Sequence, residues 1–316
     1  MNDSFGRDIT YLRLSITERC TLRCAYCRAS EGVCPKQEEL SAHELIRIVR
    51  VMAGMGVSKV RLTGGEPMLR KDLDEIVGGI AQLEGISELV MTTNAQHLAG
   101  RAHRLRELGL SRLNISLDSL NEERYHSLTG GGELKRVLSG IDEALGAGLT
   151  PLKLNVVLIR GVNDDEIDAF LSLAKDRPLD VRFIELMPIG NRFKANARIP
   201  TDEILAAHPN LKPLPPREKG QPAREYAAEG FLGRVGFISP LSHKFCADCN
   251  RVRVMSDGML RPCLGSNAEV SLKEALGEKD DAALEAAIKG AIRCKPKEHD
   301  MCGPFVSQKN MSKIGG

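Results

Sequence analysis

Short apolar runs alternate with amphipathic stretches from the N-terminus to about Met187. Strands are expected at 10–16 (TYLRLSI), 58–63 (SKVRLT), 88–93 (ELVMTT), 112–117 (RLNISL), 152–159 (LKLNVVLI) and 181–187 (VRFIELM). Helical spacing fills the gaps, as in SAHELIRIVRVMAGMG from Ser41, KDLDEIVGGIAQL from Lys71 and EIDAFLSLAK from Glu166. Glycines close several of these stretches, as helix ends prefer. Serial strand–helix units require a parallel sheet with right-handed crossovers. Six units fit an open, incomplete barrel or a doubly wound sheet, and the pattern alone does not separate the two. Beyond Pro188 the periodicity weakens, and Pro213, Pro215, Pro216, Gly220 and Pro222 mark loops. A cysteine-bearing region follows from about Arg234 to Leu264, then a helix (DDAALEAAIKGAI) and a polar tail. The expected division is a partial barrel at 1–187, a linker at 188–233 and a C-terminal region at 234–316.

The alternation also sorts the charges. Arg13 lies between Leu12 and Leu14; Lys59 and Arg61 share the face opposite Val60 and Leu62. Lys153 lies between Leu152 and Leu154, and Arg182 between Val181 and Phe183. The outer face of a parallel sheet is covered by helices and is apolar, so these five cations are expected to point inward. They repel one another unless an anion balances them, and a triphosphate suits Arg and Lys ligands. The alternative is pairing with acids such as Glu185, or a solvated sheet end.

Composition narrows the classes. The chain has 316 residues, 42% hydrophobic and 27% charged, with a net charge of +2. Bulk charge therefore gives no reason to expect nucleic acid or an anionic membrane as partner. The N-terminal MNDSFGRDITYLRL has no apolar core of signal-peptide type. No stretch approaches the roughly 18 apolar residues of a membrane span, so the expected location is cytoplasmic. Nine cysteines in a reducing compartment are not a disulfide framework.

Cys20, Cys24 and Cys27 form C-x3-C-x2-C directly after the first strand, at the mouth where parallel sheets carry their chemistry. A closed zinc site wants four ligands; three suit a 4Fe-4S cluster with one iron open. This loop, with Tyr26 before its last cysteine, resembles the radical S-adenosylmethionine (SAM) superfamily. The resemblance extends to Gly64-Gly65-Glu66-Pro67, similar to the superfamily's GGEP motif. It implies that SAM is held at Tyr26, Gly65, Thr92, Ser116 and Met187. With it the expected fold class is α/β, an incomplete (βα)6 TIM-like barrel with a C-terminal cluster-binding region. Cys34 is expected to be a bystander.

Cys246, Cys249 and Cys263 form a second triplet, C-x2-C-x13-C. A zinc ribbon would need Cys294, Cys302 or His243 as a fourth ligand. The context FCADCNRVRVMSDGMLRPCL resembles instead the C-terminal cluster site of the GTP-cyclase family of molybdenum cofactor synthesis. The ending MSKIGG is similar to that family's MSxIGG tail. This second resemblance covers Leu12 to Gly316 and departs between Cys27 and Leu40, which looks short. It implies two 4Fe-4S clusters and SAM as cofactors, and GTP as substrate. Arg13, Lys59, Arg61, Lys153, Arg182, Arg251 and Arg253 would meet GTP, and Arg13, Arg251, Arg253, Gly315 and Gly316 would serve catalysis. A radical taken from SAM would remove hydrogen from C3' of GTP, and the ribose would close on guanine C8. The implied partners are a one-electron donor such as flavodoxin or ferredoxin and the cyclic pyranopterin monophosphate synthase, with neither nucleic acid nor membrane, and with room for a homodimer. Two other readings stay open: a radical SAM enzyme with an auxiliary cluster acting on a peptide, and a non-catalytic iron–sulfur or zinc sensor.

Overall fold

The computed structural model describes residues 1–27, 38–189, 195–303 and 305–315. Cys34 and Gly316 lie outside the described residues. Twelve strands form one sheet: β1 (Tyr11–Ser15), β2 (Lys59–Thr63), β3 (Glu88–Thr93), β4 (Arg112–Ser116), β5 (Leu152–Leu158), β6 (Leu179–Glu185), β7 (Lys212–Pro213), β8 (Arg224–Ala227), β9 (Val235–Ile238), β10 (Arg251–Val254), β11 (Met259–Arg261) and β12 (Val270–Ser271). Their order is β12-β11-β10-β1-β2-β3-β4-β5-β6-β9-β8-β7. Pairing from β10 through β1–β6 to β9 is parallel throughout, and the strands beyond are antiparallel.

The expected six-strand barrel is thus present and extended. The C-terminal half adds one parallel strand to each edge, β9 beside β6 and β10 beside β1, and the sheet stays open between them. This removes both edges of the six-strand unit, which would otherwise expose unpaired backbone groups. The sixth strand starts two residues earlier than its apolar run, because Leu179 and Asp180 pair with Leu152 and Lys153.

Helices cover the outer face as the apolar spacing requires. In Ala42–Gly54, Leu45, Ile48, Val49 and Met52 are buried. Ser41 and Glu44 close its N-terminus with a reciprocal capping box, whose loss costs about 1 kcal/mol. Arg47 Nε donates to Asp281 Oδ1 at 2.8 Å, tying this helix to the C-terminal helix Ala282–Arg293. The outward strand residues Leu12, Leu14, Val60, Leu62, Leu113, Leu154 and Val181 are fully buried against this layer.

Candidate active site

The first cysteine loop is built by close backbone contact. Gly65 N–H donates to Thr17 O and Glu66 N–H to Arg19 O, both at 2.7 Å. A Cβ on Gly65 would lie 2.3 Å from Arg19 O, and one on Gly64 2.3 Å from Thr17 O. Only glycine allows the turn after β2 to press on the segment leading into Cys20. The glycines therefore shape the cysteine loop itself. Arg23 N–H and Ala25 N–H donate to Thr129 O and Leu128 O, and Cys27 N–H to Cys24 O.

Two buried carboxylates brace this end. Glu66 accepts from Thr93 Oγ1 and Asn94 N–H at 2.7 Å and from Met68 N–H at 3.1 Å. Asn94 Nδ2 then points at Cys20 Sγ, 3.7 Å away. Asp118 accepts from Tyr26 Oη and from Val157 N–H, both at 2.8 Å, and burial pushes it up to about 6.

The second triplet gathers at the opposite end of β1. Cys246 and Cys249 precede β10, whose first residue, Arg251, is level with Tyr11. Cys263 follows β11, which runs back antiparallel with Arg261 beside Arg253. Arg7 Nη1 donates to Cys246 O, and the buried Lys295 donates from Nζ to Arg251 O and Pro262 O at 2.8 and 2.7 Å. These contacts fix the loops around the thiols.

Both triplets suit iron–sulfur clusters. Burial raises the Cys24 thiol, and Asp118, Cys27 and Cys20 raise it further. Burial raises Cys246 too, then Cys263 and Cys249. Cys24 and Cys246 are therefore reluctant to ionise without a bound cationic centre. At Cys249 burial is outweighed by Arg251 and Lys295, which bring it down to about 7. A single zinc ion fits less well. His243 is turned onto Asp202 at 3.2 Å, and Cys294 and Cys302 are exposed. Among the described residues no three His, Cys, Asp or Glu groups are close enough to hold one ion.

One cavity joins the two ends. All six cysteines line it, as do Tyr26, Gly65, Thr92, Ser116 and Met187, and Arg13, Lys59, Arg61, Lys153, Arg182, Arg251 and Arg253. The inward cations are unequal. Lys59 is already paired, with Glu88 at 2.7 Å and Glu218 at 2.5 Å. Lys153 has Asp180 and Glu225 only at 3.7 and 3.8 Å. Arg182 reaches the neutral Asn155 Oδ1, and Arg61 Nε is buried without a hydrogen-bond partner among the described residues. Burial brings Arg61 down to about 9 and Arg182 to about 10, and neighbouring arginines add to it.

The tail enters the same space. Gly315 O accepts from Arg13 Nη2 at 3.1 Å and Arg253 Nη1 at 3.4 Å, and Ile314 O from Arg253 Nη1 at 3.2 Å. Gly315 has a φ of +79°, and a Cβ there would lie 2.8 Å from Thr63 Oγ1.

Several site residues escaped the sequence reading. Arg112 lines the cavity and pairs with Glu88. Tyr11 shares the inward face with Arg13, and Glu218 comes from the Pro-rich stretch. Alternation marked Tyr11 and Arg112 as well as it marked Arg13. Nothing local marked Glu218.

Residues 14–174 match the family model of the Radical SAM superfamily, and residues 179–301 that of Molybdenum Cofactor Synthesis C. The sequence is 46% identical over 322 residues to a GTP 3',8-cyclase of Alkaliphilus oremlandii and 45% over 324 residues to one of Moorella thermoacetica, covering 100% of both chains each time. The chain belongs to the GTP 3',8-cyclase family. Its fold is similar to Streptococcus suis SuiB bound to the precursor peptide SuiA, with a TM-score of 0.65 at 16% identity, covering 92% of this chain and 67% of that one. At that identity the likeness concerns the fold alone. No described helix is long and apolar enough to cross a membrane.

Proposed function

We propose that this protein is a radical SAM GTP 3',8-cyclase, converting GTP to 3',8-cyclo-7,8-dihydro-GTP in the first step of molybdenum cofactor synthesis. The observation that carries the reading is a single cavity with a thiol triplet at each end and under-neutralised cations between them. Cys20, Cys24 and Cys27 would hold one 4Fe-4S cluster, and Cys246, Cys249 and Cys263 the other. Bound at the first triplet together with SAM, such a cluster would supply one-electron reductive cleavage and a 5'-deoxyadenosyl radical.

The protein's own residues bind, orient and exclude water. Tyr26, Gly65, Thr92, Ser116 and Met187 line the cavity together with the first triplet and would hold SAM. Thr92 Oγ1 is buried without a hydrogen-bond partner among the described residues, which suits a ligand contact. Arg61, Lys153 and Arg182 would take the triphosphate, with Lys59 joining once its acids release it. Arg251, whose Nη2 lies 3.8 Å from Cys249 Sγ, would hold the guanine end beside the second triplet. Arg13 and Arg253 seat the tail at Ile314 and Gly315, and the tail would align the ribose and shield the mouth from water.

The wider setting in this reading is cytoplasmic. A one-electron donor such as flavodoxin or ferredoxin supplies the electron, and the product passes to the cyclic pyranopterin monophosphate synthase. The test is anaerobic reconstitution followed by product analysis with GTP and SAM. One cyclised nucleotide per 5'-deoxyadenosine is expected. Cleavage of SAM with GTP recovered unchanged would overturn the assignment.

A further inference from the structure

Tyr11 occupies the middle of the cation belt. It opens β1, level with Lys59 on one side and Arg251 on the other. It is 6% exposed and faces the cavity. Lys59 Nζ lies 5.2 Å and Arg61 Cζ 5.5 Å from its ring centroid. The ring is therefore a platform that holds two cations by attraction to its face.

The hydroxyl is left over. Its oxygen is buried with no hydrogen-bond partner among the described residues. The Arg13 guanidinium lies against it and is a donor only. Arg and Lys carry donors only, so these neighbours offer the phenol proton no acceptor. A buried polar group without a partner is costly and calls for an explanation. Burial raises the phenol's pKa, yet Arg61, Arg13, Lys59 and Arg112 outweigh it and leave the group below its ordinary value. Those cations favour negative charge at this point.

We infer that Tyr11 is a further substrate-binding residue, whose hydroxyl donates a hydrogen bond to a phosphate oxygen of the nucleotide while its ring holds Lys59 and Arg61 in place. The inference rests on the placement of the triphosphate in the cation belt. It adds a neutral donor to a site otherwise made of charges. A phenol in this position distinguishes a nucleotide from a nucleoside without adding to the repulsion among the cations.

Tyr11→Phe isolates the hydroxyl, because the ring platform remains. Binding of GTP and of guanosine to the reconstituted protein is measured for both forms, with iron content as a check on folding. The variant is expected to bind GTP about ten- to hundredfold more weakly, the effect of one hydrogen bond to a charged group, and guanosine as tightly as the wild type does. Tyr11→Leu should lose more GTP affinity, because the platform goes as well. Unchanged GTP affinity in Tyr11→Phe, with the wild type still preferring GTP over guanosine, would overturn the role of Tyr11 alone. If the wild type itself binds GTP and guanosine equally, the triphosphate placement fails and this inference with it.

Discussion

Arg13 and Gly315 meet across 302 positions of sequence: the guanidinium Nη2 donates to the glycine carbonyl at 3.1 Å. The contact places Gly315 at the mouth of the sheet, beside Ser15 and Thr63 at the ends of β1 and β2. Ordering a polar, glycine-ended tail costs conformational entropy. Two arginines that line the cavity, Arg13 and Arg253, offset that cost, and the proposed function gives the tail a role in the site.

Removing Gly315 and Gly316, or extending the chain with a tag, should leave iron content and GTP affinity nearly unchanged. Product formation should fall about a hundredfold or more, since a misplacement of about 1 Å is worth that much. Gly315→Ala should act in the same direction, because it combines a positive φ with a Cβ 2.8 Å from Thr63 Oγ1. Wild-type turnover in the truncated protein would mean that the tail is an ordinary end.

The two thiol triplets should separate by function. Replacing Cys246, Cys249 and Cys263 by Ala should halve the iron content and abolish the cyclised nucleotide. Slow SAM cleavage under strong reductant should survive, because Cys20, Cys24 and Cys27 lie at the other end of the cavity. Replacing the first triplet should abolish 5'-deoxyadenosine altogether. Normal product from the second-triplet variant would contradict the division.

Arg61 and Arg182 lack an acidic hydrogen-bond partner in the described structure, so an anion should depend on them most. Either residue changed to Ala should weaken GTP by about 1.5–3 kcal/mol, the range for hydrogen bonds to charged groups, and leave guanosine untouched in calorimetry. Glu218 should act in the opposite sense. Its carboxylate holds Lys59 at 2.5 Å with its side chain half exposed. Glu218→Gln should therefore tighten GTP by up to about fivefold, the size of an exposed ion pair.

Lys153 adds a pH dependence. Burial first, then Arg182 and Arg112, bring its ammonium down to about 7. A bound triphosphate stabilises the charged form and raises that value, so binding takes up a proton once the pH exceeds about 7. GTP affinity should be highest below pH 7 and fall above it. Lys153→Arg should flatten this part of the profile, leaving the titration of the nucleotide itself. The same slope in both proteins would remove Lys153 from the phosphate site.

Much of this was legible because it is local. A period of two placed Arg13, Lys59, Arg61, Lys153 and Arg182 on the inner face, and spacing alone grouped the six cysteines. What stayed hidden was non-local. The docking of β10 on β1, which sets the second triplet at the far end of the cavity, depends on residues some 240 apart. The pairing of Lys59 with Glu218 depends on a Pro-rich segment without periodicity. Tyr11 was legible in its direction but not in its chemistry, since an inward aromatic reads as core until its hydroxyl is found without an acceptor.

In the proposed function SAM and GTP meet in this one cavity, with C3' of the ribose facing the radical. GTP carrying deuterium at C3', turned over by the reconstituted protein, tests it most directly. Mass spectrometry of the 5'-deoxyadenosine should find one deuterium gained per molecule formed in coupled turnover. Unlabelled 5'-deoxyadenosine, formed alongside product that keeps its deuterium, would contradict it.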